Sequence, residues 1–244
     1  MLSNATRSLF DRCLHHAQRA WPVHCVFCGA ARVVEPRAQR CCAGCRAELP
    51  QLPHSRCSVC AVALPSGTTC ASCLDRPPCY DSVSAAYAYA FPIDALIRSY
   101  KYGRNLTLVP VLGAALLSAA PSSVDAIVPM PLSDARLRER GFNQAHELAR
   151  YAGRRIGVPV LAHACRRVVD TAPQAALPWA ERARNVRGAF VCDAAFHGMG
   201  VALVDDVMTT GATLNELARN VKRAGAARIC AWVVARTPDD RTNL

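Results

Sequence analysis

Two groups of residues in this chain have types and spacings that could do chemistry. The first lies in "VALVDDVMTTGATL", residues 201–214, where Asp205 and Asp206 precede the turn residues Thr209, Thr210 and Gly211. Val201-Ala202-Leu203-Val204 has the length and branched content of a strand buried on both faces. Leu214, Leu217, Ala218 and Val221 recur at helical spacing, so a helix is expected over Ala212 to Ala224. A strand, a tight turn and a helix N-terminus make an anion site, because several backbone N–H groups converge there without intrahelical partners. The second group is eight cysteines in four C-x-x-C pairs: Cys25/Cys28, Cys42/Cys45, Cys57/Cys60 and Cys70/Cys73. Two thiolates on a tight turn face one tetrahedral ion, and a second such pair closes the site. The expectation is two structural zinc ions, with sequential pairing preferred over interleaved. Cys41 is left out, since it would stand in an x-x-x spacing with Cys45.

These groups need elements to position them. At 244 residues, 52% hydrophobic, the chain can build one good core plus a smaller module. Helix-like stretches (Ile93 to Tyr100, Leu106 to Leu117, Asn143 to Ile156) alternate with extended ones (Ala126 to Pro129, Val201 to Val204, Ile229 to Ala235). That alternation predicts an α/β fold, a parallel sheet with crossover helices, whose ligands sit at the C-terminal ends of strands. "DRPPCYD", residues 75–81, reads as a linker because consecutive prolines cannot continue a helix. The expected organisation is a helical lead-in over 1–20, a zinc-binding module over 21–76 and the α/β lobe over 81–240. No apolar run is continuous enough to span a membrane, and the N-terminus carries no signal-peptide h-region, so a cytoplasmic location is expected. Abundant free thiols fit a reducing compartment. Cys13, Cys79, Cys165, Cys192 and Cys230 are scattered and read as structural.

The formal net charge is +11, which two four-thiolate zinc sites lower to roughly +7. Within the larger lobe the excess is confined to residues 132–187, with eleven Arg against five acids. Arginine suits bidentate contacts to phosphate. An Arg-rich face can also be merely solvated, but confinement to one segment favours an anionic ligand.

"DDVMTTGAT" resembles the 5-phosphoribosyl-1-diphosphate (PRPP) motif of type I phosphoribosyltransferases. The resemblance implies that Thr209, Thr210, Gly211, Ala212 and Thr213 cradle the 5-phosphate. It also implies that Asp205 and Asp206 are catalytic, facing the ribose hydroxyls or the waters of a bound Mg²⁺. A reaction through a cation-like ribose gains from a nearby carboxylate, and Mg²⁺ on the diphosphate improves the leaving group. "VPMPLSDARLRERGFNQAHELA", "TAPQAALPWAERARNVRGAF" and "SYKYGRN" resemble signatures of the ComF family, and the cysteine pairs resemble its N-terminal double zinc ribbon. The second signature rests on Thr171, Gln174, Leu177, Arg182, Arg184 and Asn185. Lys101, Arg136, Arg138, Arg140 and Gln144 join the expected PRPP-binding set through this resemblance. Met208 departs mildly, since related motifs commonly place a β-branched aliphatic there.

The resemblance associates the chain with natural transformation and leaves two classes of function open. One is a phosphoribosyltransferase of nucleotide metabolism, its acceptor unnamed by the sequence. The other is a DNA-uptake factor that contacts single-stranded DNA through its Arg segment and ribbons. A further reading makes the ribbons a docking surface for a helicase or the DNA-import machinery. Phe27 is the one aromatic between Cys25 and Cys73, which favours protein docking over base stacking there.

Overall fold

The computed structural model describes residues 24–31, 40–120, 123–169 and 186–238. The expected lead-in over 1–20 and the signature residues Thr171 to Asn185 lie outside them. The chain divides into two compact units, Met1–Glu48 and Leu49–Leu244. The division falls inside the segment expected as one zinc module, between its two cysteine groups. In the first unit the helix α1 (Ala43–Ala47) starts at Cys42, whose Sγ accepts the Cys45 amide at 3.4 Å, and in the second α2 (Ala71–Asp75) starts at Cys70.

The second unit is built on a parallel sheet ordered β1-β6-β5-β2, from Ser82–Ala88 (β1), Ala126–Pro129 (β2), Gly200–Met208 (β5) and Arg228–Arg236 (β6). Between β2 and β5 a short antiparallel pair, Cys165–Arg167 (β3) and Phe190–Cys192 (β4), carries a disulfide joining Cys165 and Cys192. The two central strands are buried almost throughout, which is why they read as continuous apolar runs. Val201, Leu203, Ala231 and Val233 join a cluster with Leu214, Leu217 and Val221 of the helix α7 (Ala212–Arg223). Their neighbours Ala202, Val204, Trp232 and Val234 are equally buried and, by the two-residue period of a strand, face the other side. There α4 (Val109–Ala119) and α6 (Gln144–Ile156) pack together against the sheet.

The connections explain where a ligand can enter. From β2 the chain passes through α5 (Asp134–Arg140) and α6 to Val160, which bridges Ile127 in parallel on the outer edge of β2. From β5 it passes through α7 to β6, in the opposite direction. The carboxyl ends of β2 and β5 therefore flank a topological switch point, where open α/β sheets leave a crevice.

Three expectations are corrected here. Strand β5 does not end at Val204: the ladder to β6 continues through Val207 and Met208, so Asp205 and Asp206 lie within the strand. The end of the stretch read as a linker, Cys79 to Asp81, is packed, while Asp75 to Pro77 are exposed. Cys79 N donates to Asn215 Oδ1 of α7 at 2.6 Å, Tyr80 is buried, and Asp81 exchanges hydrogen bonds with Ile229 of β6. Leu106 to Leu117 is two elements, a 3₁₀ turn (Leu106–Leu108) followed by α4, with Pro110 in the first turn of the helix where a missing N–H costs nothing.

Candidate functional site

At the switch point, three segments distant in sequence meet. Lys101 lies in the last turn of α3 (Ile93–Tyr102) and places Nζ 2.6 Å from Asp206 Oδ2. Asp206 is 2% exposed. Burial drives the Lys101 ammonium down to about 8; Asp205 opposes this, while Arg140 and Arg136 add to it. Burial likewise pushes Asp205 up to about 6, against the pull of Lys101, Arg140 and Arg167. Two acids and several cations thus share a poorly solvated crevice, and each acid also accepts the backbone amide that follows it.

The two signatures behind this cluster interlock. Tyr100 is fully buried, donates to the Gln144 carbonyl at 2.8 Å and packs on Phe142 with ring centres 5.4 Å apart. The Arg140 guanidinium lies 5.5 Å over the exposed Tyr102 ring, and Arg104 donates to the Glu139 carbonyl at 2.8 Å. Gly141 ends α5 in the left-handed conformation. Asn143 then caps α6, accepting the Ala145 and His146 amides while donating to the Met130 carbonyl beyond β2. Gln144 is buried and receives Arg140 Nη1 on its Oε1. Its side chain braces that arginine. In the helix α5, Arg136 and Arg140 are one turn apart and share a face, while Arg138 is turned away and exposed. Arg167 also stands within electrostatic reach of Asp205.

The turn after β5 has the geometry of an anion cradle. Gly211 caps α7 at φ +78°, a conformation costly for other residues. A Cβ there would meet Met208 Cε at 2.5 Å and Tyr80 Oη at 3.0 Å. Met208 therefore fills the space beneath the glycine, a packing role. Thr210 Oγ1 accepts the Ala212 amide at 3.2 Å, and the first-turn amides of α7, including Thr213, belong to a helix with no side-chain cap bond.

The cysteines form two groups, Cys25, Cys28, Cys42, Cys45 and Cys57, Cys60, Cys70, Cys73, with all sulfurs of a group within 4.8 Å of one another. Pairing is sequential. A tetrahedron with Zn–S near 2.3 Å needs S–S edges of about 3.8 Å. The Cys28–Cys42 and Cys60–Cys70 separations are 3.8 and 3.7 Å, so the donors fit zinc. Burial raises Cys25, but amides of Cys42, Cys28 and Phe27 outweigh it and bring the thiol to about 6; those of Cys70, Cys60 and Val59 do the same for Cys57, at about 7. Cys41 stays outside the group, with burial raising its thiol to about 11.

The double zinc ribbon domain model matches residues 17–74. The chain is 32% identical to competence protein F of Haemophilus influenzae over 207 residues, which is 80% of this chain and 90% of that protein. It belongs to the ComF family. The DNA utilization protein YhgH of Salmonella typhi is 32% identical over 79% of the chain and 95% of its own length. Competence protein ComFC of Bacillus subtilis is 26% identical over 82% and 85%. Among solved structures, a purine phosphoribosyltransferase from Pyrococcus horikoshii overlaps 54% of this chain and 71% of its own at 20% identity, TM-score 0.27, too slight to bear on the site. Among the described residues no helix is long and apolar enough to cross a membrane.

For this ComF family chain, the structure brings Lys101, Arg136, Arg140, Asp205 and Asp206 together at one crevice. Thr209 to Thr213 continue directly from β5. Sequence reasoning missed Arg236, the one buried arginine among the described residues. Its Nη1 donates to the carbonyls of Thr209 (2.5 Å) and Thr237 (2.7 Å), and its Nε to that of Cys60 at 3.0 Å. At the end of an apolar strand it reads as an ordinary exposed terminus, so nothing in the sequence marks it.

Proposed function

We propose that this chain binds PRPP with Mg²⁺ in the crevice between β2 and β5 and serves DNA uptake in natural transformation from the cytoplasm. One observation carries the reading: half-buried Asp205 and buried Asp206, with Lys101, Arg136 and Arg140, adjoin a helix N-terminal turn at a switch point. The amides of Thr210, Gly211 and Thr213 would receive the 5-phosphate. Lys101, Arg136 and Arg140 would neutralise the diphosphate, releasing Lys101 from Asp206. The carboxylates of Asp205 and Asp206 are the hard oxygen donors that suit Mg²⁺, which would stabilise the departing diphosphate. The same two groups would hold the ribose hydroxyls and counter positive charge growing on the sugar as its glycosidic bond loosens. The reaction class is transfer of a phosphoribosyl group to an acceptor.

The relatives' names, competence protein F and DNA utilization protein, support the uptake role. Contact with single-stranded DNA is assigned to the Arg segment, and docking of a helicase or of import machinery to the ribbons. The alternative is a phosphoribosyltransferase of nucleotide metabolism without a DNA role, favoured by the gathering of Arg136, Arg140 and Arg167 around the Lys101 and Asp205 charges. Calorimetric titration with PRPP and Mg²⁺, then with single-stranded DNA as competitor, tests both. Absence of PRPP heat at millimolar ligand would refute the binding site; DNA binding absent at low salt would leave the enzyme reading alone.

A further inference from the structure

We propose that Arg236 is a positioning residue that ties the second zinc site to the phosphate turn, so that metal at Cys57, Cys60, Cys70 and Cys73 sets the turn's geometry. The inference rests on reading Thr209 to Thr213 as the PRPP 5-phosphate cradle.

The contacts form a continuous path inside one compact unit. Arg236 is 6% exposed, and its planar guanidinium holds Cys60 O on one edge and Thr209 O on another, with Met208 O at 3.4 Å. Both carbonyls belong to residues with a functional neighbour: Cys60 ligates the second site, and Thr209 opens the turn. A peptide carbonyl and the amide after it are one rigid plane, so fixing Thr209 O fixes the Thr210 N–H offered to an anion. Tyr80 supplies a second support. It is buried, its hydroxyl lies against Gly211, and it belongs to the same buried cluster as Cys57 and Cys60. The turn thus rests on Arg236 and Tyr80, and both abut the cysteine cluster.

A lysine has no fork and satisfies one carbonyl at a time, so Arg236→Lys keeps charge and approximate length while cutting the tie. The experiment uses full-length zinc-loaded protein carrying Cys25→Ser, which leaves the second site as the intact one, with and without Arg236→Lys. Amide exchange of residues 209–213 and PRPP affinity are measured before and after chelation. In the Arg236 protein, chelation should raise exchange at Thr209 to Gly211 and weaken PRPP by about ten-fold, the order expected for a lost charged hydrogen bond. In the Arg236→Lys protein, exchange there should already be raised, PRPP already weakened, and chelation should add little, because a cut link transmits nothing. Strands at Val201 to Val204 should stay protected in every arm, which separates a local tie from loss of fold. Equal responses to chelation with and without Arg236, or no response at the turn in either, would overturn the proposal. A turn that responds through Arg236 in a protein giving no PRPP heat would uphold the tie and refute the PRPP reading.

Discussion

The two four-cysteine sites share ligand type, C-x-x-C spacing and sulfur geometry, yet they hold different things. The first lies in the unit Met1–Glu48, with Cys25 buried and Cys28 exposed. The second lies in the unit Leu49–Leu244, with Cys57 and Cys60 both buried in the same core cluster as Met208, Leu214 and Val233. Identical metal chemistry can therefore serve as a self-contained staple for a small unit or as a fixed point within a larger one. The surroundings differ: Arg236 donates to both the Cys60 and Thr209 carbonyls, and Tyr80, clustered with Cys57 and Cys60, lies against Gly211, so the second site adjoins the Thr209–Thr213 turn.

The largest effect should come from removing one ligand of each. Cys60→Ser should reduce zinc from two ions to about one per chain and lower the melting temperature of the α/β lobe, because metal binding is folding energy for its surroundings. Cys25→Ser should lose the same metal equivalent and leave the lobe's melting and helical signal unchanged. Metal analysis with calorimetric melting reads both. If the two variants melt alike, the distinction between staple and fixed point fails.

Gly211→Val comes next and asks whether the turn depends on its backing. A branched residue at φ +78° is strained wherever it is placed, and its Cβ would strike Met208 Cε. PRPP affinity should fall by over about 100-fold, of the order such strain and steric conflict produce. Gly211→Ala should lose less, since alanine has no γ carbons beyond the Cβ. Equal, small losses for both would mean that the turn is free to move off Met208 and Tyr80.

The α/β lobe was legible from its strands, because β5 and β6 are buried on both faces and announce themselves as apolar runs. The turn was legible because its small and hydroxyl residues have few other uses between a strand and a helix. What was not legible depends on distant partners. Tyr80 follows two prolines and reads as linker, yet a helix and a strand beyond position 200 stitch that segment down. Arg136, Arg138 and Arg140 look equivalent until a helix separates the middle one from the outer two. Nor does the sequence show that Gln144 Oε1 receives Arg140 Nη1.

A smaller effect is expected from pH. Asp205 must be ionised and Lys101 protonated for the proposed contacts, so PRPP affinity should peak between about pH 6 and pH 8 and fall on either side. Asp205→Asn should remove the acid limb. Its stability effect runs opposite to its binding effect. The folded Asp205 is raised above its ordinary value of 3.8, so its contribution is fullest below that value and is lost as pH rises through about 6. At pH 7 the asparagine variant should therefore melt higher than the parent, and the gain should vanish below about pH 4. A variant that melts lower at pH 7 would mean that the carboxylate is held by favourable partners instead of tolerated for function. The second zinc unit would then owe stability to this site, blurring the contrast with the first.

The smallest effect separates the arginines of the crevice from those remote from it. Arg154 and Arg155 are exposed in the last turn of α6, whose first turn abuts the crevice through Gln144, so about ten residues of helix, near 15 Å, separate them from it. Cations at a helix C-terminus also complement its dipole, which is reason enough for them without DNA. If the Arg segment tracks a DNA backbone, however, each phosphate it neutralises adds roughly −0.7 to the log–log salt slope of single-strand binding. Replacing Arg154 and Arg155 by Ala should then shrink the slope by about 1.4, with little sequence preference and PRPP affinity unchanged. Replacing Arg136 and Arg140 should weaken PRPP, and should shrink the DNA slope only if the strand runs over the crevice. In that case PRPP and DNA compete, and DNA would feel the state of the second zinc site through Arg236 while remaining indifferent to that of the first. An unchanged slope in the Arg154/Arg155 variant, with DNA still bound and salt-sensitive, would confine the DNA contact to other cations. A slope that falls with Arg136 and Arg140 alone would make the crevice itself the meeting point of sugar diphosphate and DNA strand.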